Sequence, residues 1–66
     1  MGSGLYPQLT AILLENGCQF VRNGKGSHEI WKSQSNNKTF SVPVTIVSKH
    51  TANAILKQAG IVERKI

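Results

Sequence analysis

The sequence contains little cysteine, few acidic residues and no long hydrophobic run. Its one cysteine, Cys18, excludes an intramolecular disulfide and is interpreted as a small core residue. A small domain with neither a disulfide nor a signal peptide is typical of the reducing cytoplasm. The apolar runs are far shorter than the roughly 20 residues of a membrane-spanning helix, so the sequence predicts a soluble protein without membrane contact.

Histidine and cysteine are also too sparse to predict a metal site. Cys18, His28 and His50 lack the paired spacing of zinc ligands, and we expect neither a metal nor another cofactor. The GKGS segment at residues 24–27 is shorter than a phosphate-binding P-loop, and it precedes a strand rather than a helix. This pattern disfavours a nucleotide-hydrolysing enzyme.

The shortage of acidic residues leaves a net charge of +5, from eight basic residues against three acidic ones. This excess favours an anionic partner, and nucleic acid is the first candidate. Four of the five net charges fall within residues 34–66. Lysines that only keep a protein soluble would produce the same count, so charge alone does not identify a binding surface.

One domain over residues 1–66 is expected, because a chain of this length builds only one small core. Residues 1–4 are interpreted as partly an expression remnant. The apolar spacing that follows predicts a first helix, with Leu5, Leu9, Ile12 and Leu13 on one stripe. It should end near Asn16, with Gly17 in the left-handed conformation and Cys18 as the apolar contact after it. A hairpin turn at residues 16–17 is the competing interpretation.

Three short strands are predicted at residues 18–22, 27–32 and 39–42. Residues 23–26 contain an Asn-Gly pair and a second glycine, which suit the positive φ angles of a hairpin turn. A polar loop at residues 33–37 separates the second strand from the third. In the third strand Phe40 and Val42 share one face, and Pro43 should end the ladder or mark an edge.

A second helix is predicted after a connector that contains Ile46 and Val47. Ser48 or Thr51 caps its start, and Gly60 ends it. Its apolar stripe consists of Ala52, Ile55, Leu56 and Ala59. The last residues, 62–66, are interpreted as a tail that is frayed or used in oligomer contacts.

The element order, helix-strand-strand-strand-helix, predicts an α+β fold. Two helices would cover one face of a three-stranded antiparallel sheet, which leaves the other face or the rim for a partner. Strand alternation places His28 and Ile30 on one face and Glu29 and Trp31 on the other. Ile30 is expected to serve the core, so that His28 reaches solvent from the end of its strand. Trp31 is interpreted as a core anchor slightly in preference to an exposed platform.

His28 is the strongest candidate for acid or base chemistry, because an imidazole exchanges protons near neutrality. RNA cleavage fits one such group: the 2′-hydroxyl attacks the adjacent phosphate, one proton is accepted and another donated, and no metal is required. A lone histidine is more often structural, so this interpretation stays open on the residues alone. His50 is expected at the surface, with a second proton transfer as the alternative role. Lys57 is expected on a solvated helix face, with a phosphate contact as the alternative.

Basic residues and glycine surround His28 in the sequence. Arg22, Lys25 and Lys32 are candidates to neutralise a phosphate, and the backbone donors of Gly26 and Ser27 are candidates to approach it closely. Glu29, on the opposite face of a regular strand, is not expected to orient His28.

Four segments of the chain resemble the HicA-type toxins. They are LLENG at residues 13–17, Gly-Ser-His at 26–28, Val-Pro at 42–43 and ILKQAGI at 55–61. No segment is specific alone, but their order and spacing cover nearly the whole chain. The sequence departs from many relatives at Thr45, where they have histidine, and at His50, where they have glycine.

The resemblance implies a fold like the double-stranded RNA-binding domain. It also implies the toxin of a type II toxin-antitoxin system, a ribosome-independent endoribonuclease that cleaves mRNA with the histidine of the Gly-Ser-His motif, here His28. A HicB-type antitoxin is then expected to cover His28, and any contact with DNA would be made through that antitoxin. Two other functions stay open: a noncatalytic RNA-binding module of the same fold, and a pure protein-interaction domain.

Overall fold

A computed structural model describes residues 4–66 and contains two helices and one three-stranded sheet. In chain order the elements are α1 (Tyr6–Glu15), β1 (Gln19–Asn23), β2 (His28–Lys32), β3 (Thr39–Pro43) and α2 (Lys49–Gln58). This order confirms the predicted α+β class. Residues 1–3, on which most of the expression-remnant interpretation falls, lie outside the described residues.

Helix α1 ends in the way that its sequence predicts. Gly17 has a φ of +83°, and the N–H groups of Gly17 and Cys18 donate to the carbonyls of Leu14 and Leu13 at 3.1 and 3.0 Å. This pair of hydrogen bonds defines a Schellman motif, in which a left-handed glycine turns the chain out of the helix. Cys18 is buried in the core, and the competing hairpin turn at residues 16–17 is therefore wrong.

Helix α2 is capped by Ser48, one of the two cap residues that the sequence predicted. The Ser48 side chain accepts a hydrogen bond from the N–H of Thr51 at 3.3 Å. The helix ends in a second Schellman motif, at Gly60 and Ile61. The tail that follows is not frayed, because the N–H of Ile66 donates to Oδ1 of Asn53 at 2.8 Å.

The sheet has the order β1-β2-β3 with antiparallel neighbours, so β2 is central. Trp31 pairs with Phe40, and Glu29 pairs with Val42, which places all four on one face. The apolar members of this face are buried together with the stripes of both helices; the core consists of Leu9, Ile12, Leu13, Cys18, Trp31, Phe40, Val42, Ile46, Ala52, Ile55, Leu56, Ala59 and Ile61.

Trp31, at 4% exposure, is confirmed as a core residue. The expectation that Ile30 serves the core is wrong. Ile30 and Trp31 point to opposite faces, so only one can face the helices, and the larger side chain does so. Ile30 instead lies partly buried on the other face, which it shares with His28.

Burial is uneven across the sheet. All five residues of β1 are exposed, whereas β2 and β3 each contribute buried side chains. Pro43 closes β3, an edge strand, in agreement with its predicted place. Within residues 4–66, neither helix has the length or the apolar character to cross a membrane.

Candidate functional site

His28 is the first residue of β2, and its side chain is exposed on the sheet face that the helices leave uncovered. Its partner across the sheet is Pro43, the last residue of β3. In the described part of the chain, its imidazole has no hydrogen-bond partner, while its backbone N–H and C=O are both bonded. The main chain is therefore held in place, and the imidazole is open to a ligand.

The turn before His28 fixes that placement. The N–H of His28 donates to the carbonyl of Lys25 at 3.1 Å, and the N–H of Gly24 donates to the carbonyl of His28 at 2.8 Å. Gly26 has a φ of +59° at the first central position, which is typical of a type II′ hairpin turn. The turn is thus centred on Gly26 and Ser27. Of the residues 23–26 expected to form it, Gly26 has the predicted positive φ, whereas neither Asn23, which ends β1, nor Gly24 does.

The two central residues of this turn present unused backbone donors. Within residues 4–66, the N–H groups of Gly26 and Ser27 donate to no acceptor, and both residues are exposed. The carbonyl of Ser27, by contrast, accepts from the N–H of Val44 at 2.8 Å, which ties the turn to the end of β3. Two free N–H groups beside an exposed imidazole are suited to hold an anion.

A β-bulge decides where Arg22 points. Phe20 pairs with Trp31, but Arg22, not Val21, pairs with Ile30, because the register shifts between Phe20 and Arg22. In regular pairing Val21 would oppose Ile30, and Arg22 would lie on the helix side with Glu29. The bulge places Arg22 on the face of His28 instead, as its diagonal neighbour at a Cα separation of about 7–8 Å.

The remaining candidate cations are not equally close to His28. Lys25 is exposed in the turn itself, three residues before the histidine. Lys32 shares the face of His28 but stands at the other end of β2, about 13 Å away at 3.3 Å per residue. Arg22 and Lys25 are therefore the candidate cations nearest to His28.

A polar cluster on the helix side of β2 was not recognised in the sequence. The hydroxyl of Tyr6 donates to Oε1 of Glu29 at 2.7 Å, and the indole N–H of Trp31 donates to the same oxygen at 3.0 Å. The hydrogen bond from Tyr6 to Glu29, together with the burial of the phenol, raises the pKa of Tyr6 to about 12. Glu29 does lie on the face away from His28, as alternation predicts, and it anchors the central strand to α1.

The other predicted participants lie elsewhere in the fold. His50 is exposed in the first turn of α2, and Lys57 is exposed near the end of that helix. Among residues 4–66, no three His, Cys, Asp or Glu side chains are grouped so that they could hold a metal ion. The chemistry that this site can support rests on His28, the turn N–H groups and the cations Arg22 and Lys25.

Comparison with known protein families finds a match over most of the chain. A family model described as the HicA toxin of bacterial toxin-antitoxin matches residues 6–61, which spans every helix and strand described above. No curated protein and no solved structure matches the chain.

Proposed function

The chain belongs to the HicA toxin family of bacterial toxin-antitoxin systems, and on this basis we propose that it is an endoribonuclease that cleaves mRNA with His28 as its acid–base residue. The observation that carries the proposal is the exposed imidazole of His28, set beside two unused backbone N–H groups and diagonal to Arg22. A structural histidine would be expected to have a protein partner for its ring.

In the proposed reaction the RNA supplies its own nucleophile. The 2′-oxygen forms a bond to phosphorus, the bond from phosphorus to the 5′-oxygen breaks, and the products carry a 2′,3′-cyclic phosphate and a 5′-hydroxyl. His28 takes the proton of the 2′-hydroxyl or gives one to the leaving oxygen, and solvent, which reaches the exposed ring, serves the other transfer. A positioned acid or base contributes about 10²- to 10⁴-fold in rate.

The surroundings of His28 supply the charge stabilisation. The N–H groups of Gly26 and Ser27 are placed to donate to the phosphate oxygens, which gain negative charge in the transition state. Arg22 and Lys25 add positive charge on the same side of the molecule. Lys32, at the far end of β2, is assigned to a more distant phosphate of the same RNA.

The test compares His28→Ala with His50→Ala, the variant of the other histidine in the chain. Purified protein is incubated with RNA in the presence of a chelator, new 5′-hydroxyl ends are counted, and circular dichroism confirms folding. At saturating RNA, His28→Ala should lower the rate about 10²- to 10⁴-fold, and His50→Ala should leave this saturated rate nearly unchanged. Cleavage by His28→Ala at the original rate would exclude the assignment.

The same experiment separates the alternative functions. If the unaltered protein binds RNA in a salt-sensitive way but leaves it intact, the noncatalytic RNA-binding module is the better description. If it fails to bind RNA even at low salt, a protein-interaction domain is favoured.

We further propose that the antitoxin partner is of the HicB type and that it covers His28, and that the pair acts in the cytoplasm. A partner that covers the open face would inhibit cleavage simply because RNA and solvent could no longer reach the His28 imidazole. Addition of a HicB-type antitoxin should abolish cleavage, and any specific DNA binding should require the antitoxin and be absent from the toxin alone.

A further inference from the structure

A groove of about 280 Å³ lies between α2 and the C-terminal segment, residues 61–66, and His28 does not line it. Four residues at helical spacing form the α2 wall: His50, Asn53, Ala54 and Lys57. They lie away from the buried stripe of α2. The opposite wall consists of Ile61, Val62, Arg64 and Lys65.

Hydrogen bonds hold the two walls together. The backbone of Ile66 both donates to and accepts from the Asn53 amide, at 2.8 and 3.4 Å. Arg64 forms an ion pair with Glu15 of α1 at 2.8 Å. The groove is therefore a defined feature of the surface and does not depend on a loose tail.

The charge of the groove has one sign. Lys57, Arg64 and Lys65 line it, and none of its lining residues is acidic. Glu15 partly offsets Arg64 from outside the groove, whereas Lys57 and Lys65 form no ion pair within residues 4–66. The groove concentrates the excess positive charge of the second half of the chain and attracts an anion.

We propose that this groove binds the ribose-phosphate backbone of the RNA that is cleaved at His28, as a second contact away from the cleaved bond. The inference rests on the proposed endoribonuclease function. No phenylalanine, tyrosine or tryptophan lines the groove, and its lysines and arginine are suited to phosphates, so we expect a contact that is irrespective of sequence. From His50 to Lys57 the helix rises about 10 Å, the length of about three stacked nucleotides.

An acidic protein segment fits the groove less well. Such a segment would need an apolar side chain buried in a pocket between the cations. Ile61 is already covered by the core, which leaves only Ala54 and Val62 for that contact.

The groove is within reach of RNA bound at His28. Pro43 pairs with His28, and seven Cα steps of about 3.8 Å lead from Pro43 to His50, so the two sites are at most about 32 Å apart. A strand of about ten stacked nucleotides covers that distance. An RNA of about four nucleotides spans only about 14 Å when stacked and is expected to contact only one site.

The experiment compares two RNAs with one cleavage site, of about 4 and about 20 nucleotides. The variants are Lys57→Gln, Lys65→Gln and the double variant. The controls of equal charge change are Lys38→Gln for the single variants and Lys38→Gln combined with Lys49→Gln for the double variant, and neither of these lysines lines the groove. The double variant should raise KM for the longer RNA about tenfold, without a change in kcat, and leave the short RNA unaffected. Equal effects on both RNAs, or no effect, would overturn the proposal.

The inference can also be tested without cleavage. The affinity of the longer RNA is measured for the lysine variants in protein that also carries His28→Ala. The slope of the logarithm of the RNA-binding constant against the logarithm of the salt concentration should become shallower by about 0.7 for each lysine removed. If the unaltered protein cleaves no RNA but this difference appears, only the endoribonuclease proposal has failed. If the lysine variants bind RNA normally but lose the antitoxin, the groove belongs to a protein partner and the RNA proposal is wrong.

Discussion

The hydroxyl of Tyr6 donates a hydrogen bond of 2.7 Å to Oε1 of Glu29, and this bond joins the first turn of α1 to the strand that carries His28. The two residues are 23 positions apart in the chain. Trp31 donates to the same oxygen, so one carboxylate connects the helix, the central strand and the buried indole. A neutral Tyr6 is required, because a phenolate would repel the Glu29 carboxylate.

Tyr6→Phe should therefore destabilise the fold by about 1.5 kcal/mol, the lower range for a hydrogen bond to a charged acceptor, since the pair is only partly buried. The pKa of Tyr6 is raised to about 12, above its unfolded value of 10.0. Its contribution is thus complete below about pH 10 and is lost as the pH rises towards 12.

Urea unfolding on either side of pH 10 measures this effect, and Tyr6 is the one tyrosine of the chain, so the variant removes all phenol titration. The free energy of unfolding should fall more steeply with pH in the unaltered protein than in Tyr6→Phe. Equal slopes would show that the Tyr6–Glu29 bond contributes nothing.

Arg22→Ala should lower kcat/KM for RNA about tenfold, because it removes the cation diagonal to His28 from an exposed site. Lys38→Ala, an exposed cation in the β2–β3 connection, is the matched control and should have little effect. Similar losses in both variants would mean that Arg22 acts only through net charge.

Deletion of Val21 tests the bulge directly. Without the extra residue Arg22 follows Phe20 directly, so regular pairing keeps Arg22 opposite Ile30 and on the face of His28. Activity should therefore stay close to that of the unaltered protein, although the bulge is gone. A loss as large as in Arg22→Ala, in a folded deletion variant, would show that the bulge itself is needed and not only the face on which Arg22 lies.

Gly26→Ala should cost about 1 kcal/mol of stability, because Gly26 has a φ of +59° in the turn that places His28. A Cβ at this position meets nothing within 4 Å, so the cost is conformational rather than steric. Gly26→Asn should cost less, because asparagine tolerates the left-handed region. Thermal unfolding of the two variants is the measurement, and equal losses would exclude the conformational explanation.

Ser33→Ala should destabilise the protein by about 1–2 kcal/mol. The buried Ser33 hydroxyl donates to the carbonyl of Ala59 at 2.7 Å, and this bond ties the β2–β3 connection to the C-terminal end of α2. Ser41→Ala, on the exposed side of β3, should change the free energy of unfolding by less than about 0.5 kcal/mol. A small effect of both substitutions in urea unfolding would show that Ser35, which approaches the same carbonyl at 3.4 Å, replaces Ser33.

Local patterns in the sequence predicted much of this fold. Gly17 and Gly60 end helices because a left-handed residue is needed there, and the spacing of Leu9, Ile12 and Leu13 identifies a buried stripe. The position of His28 at the head of β2, after a glycine turn, was also predictable. Each of these features depends on residues within a few positions of one another.

Such local patterns did not predict which residues pair across the sheet or which face of the sheet the helices cover. Alternation placed Ile30 and Trp31 on opposite faces, but it did not say which face the helices cover, and the choice of Ile30 was wrong. The bulge that turns Arg22 towards His28 is a matter of register between β1 and β2, and no local signal marked it.

The sequence by itself determined the element order, the helix ends and the histidine at the head of a strand, because these follow from backbone preferences and short-range apolar spacing. Only the tertiary structure decided which face of the sheet is open, which cation shares it with His28, and how the tail and α2 form a basic groove. Those outcomes depend on strand register and on contacts such as Asn53 with Ile66, which join parts of the chain that no periodicity relates.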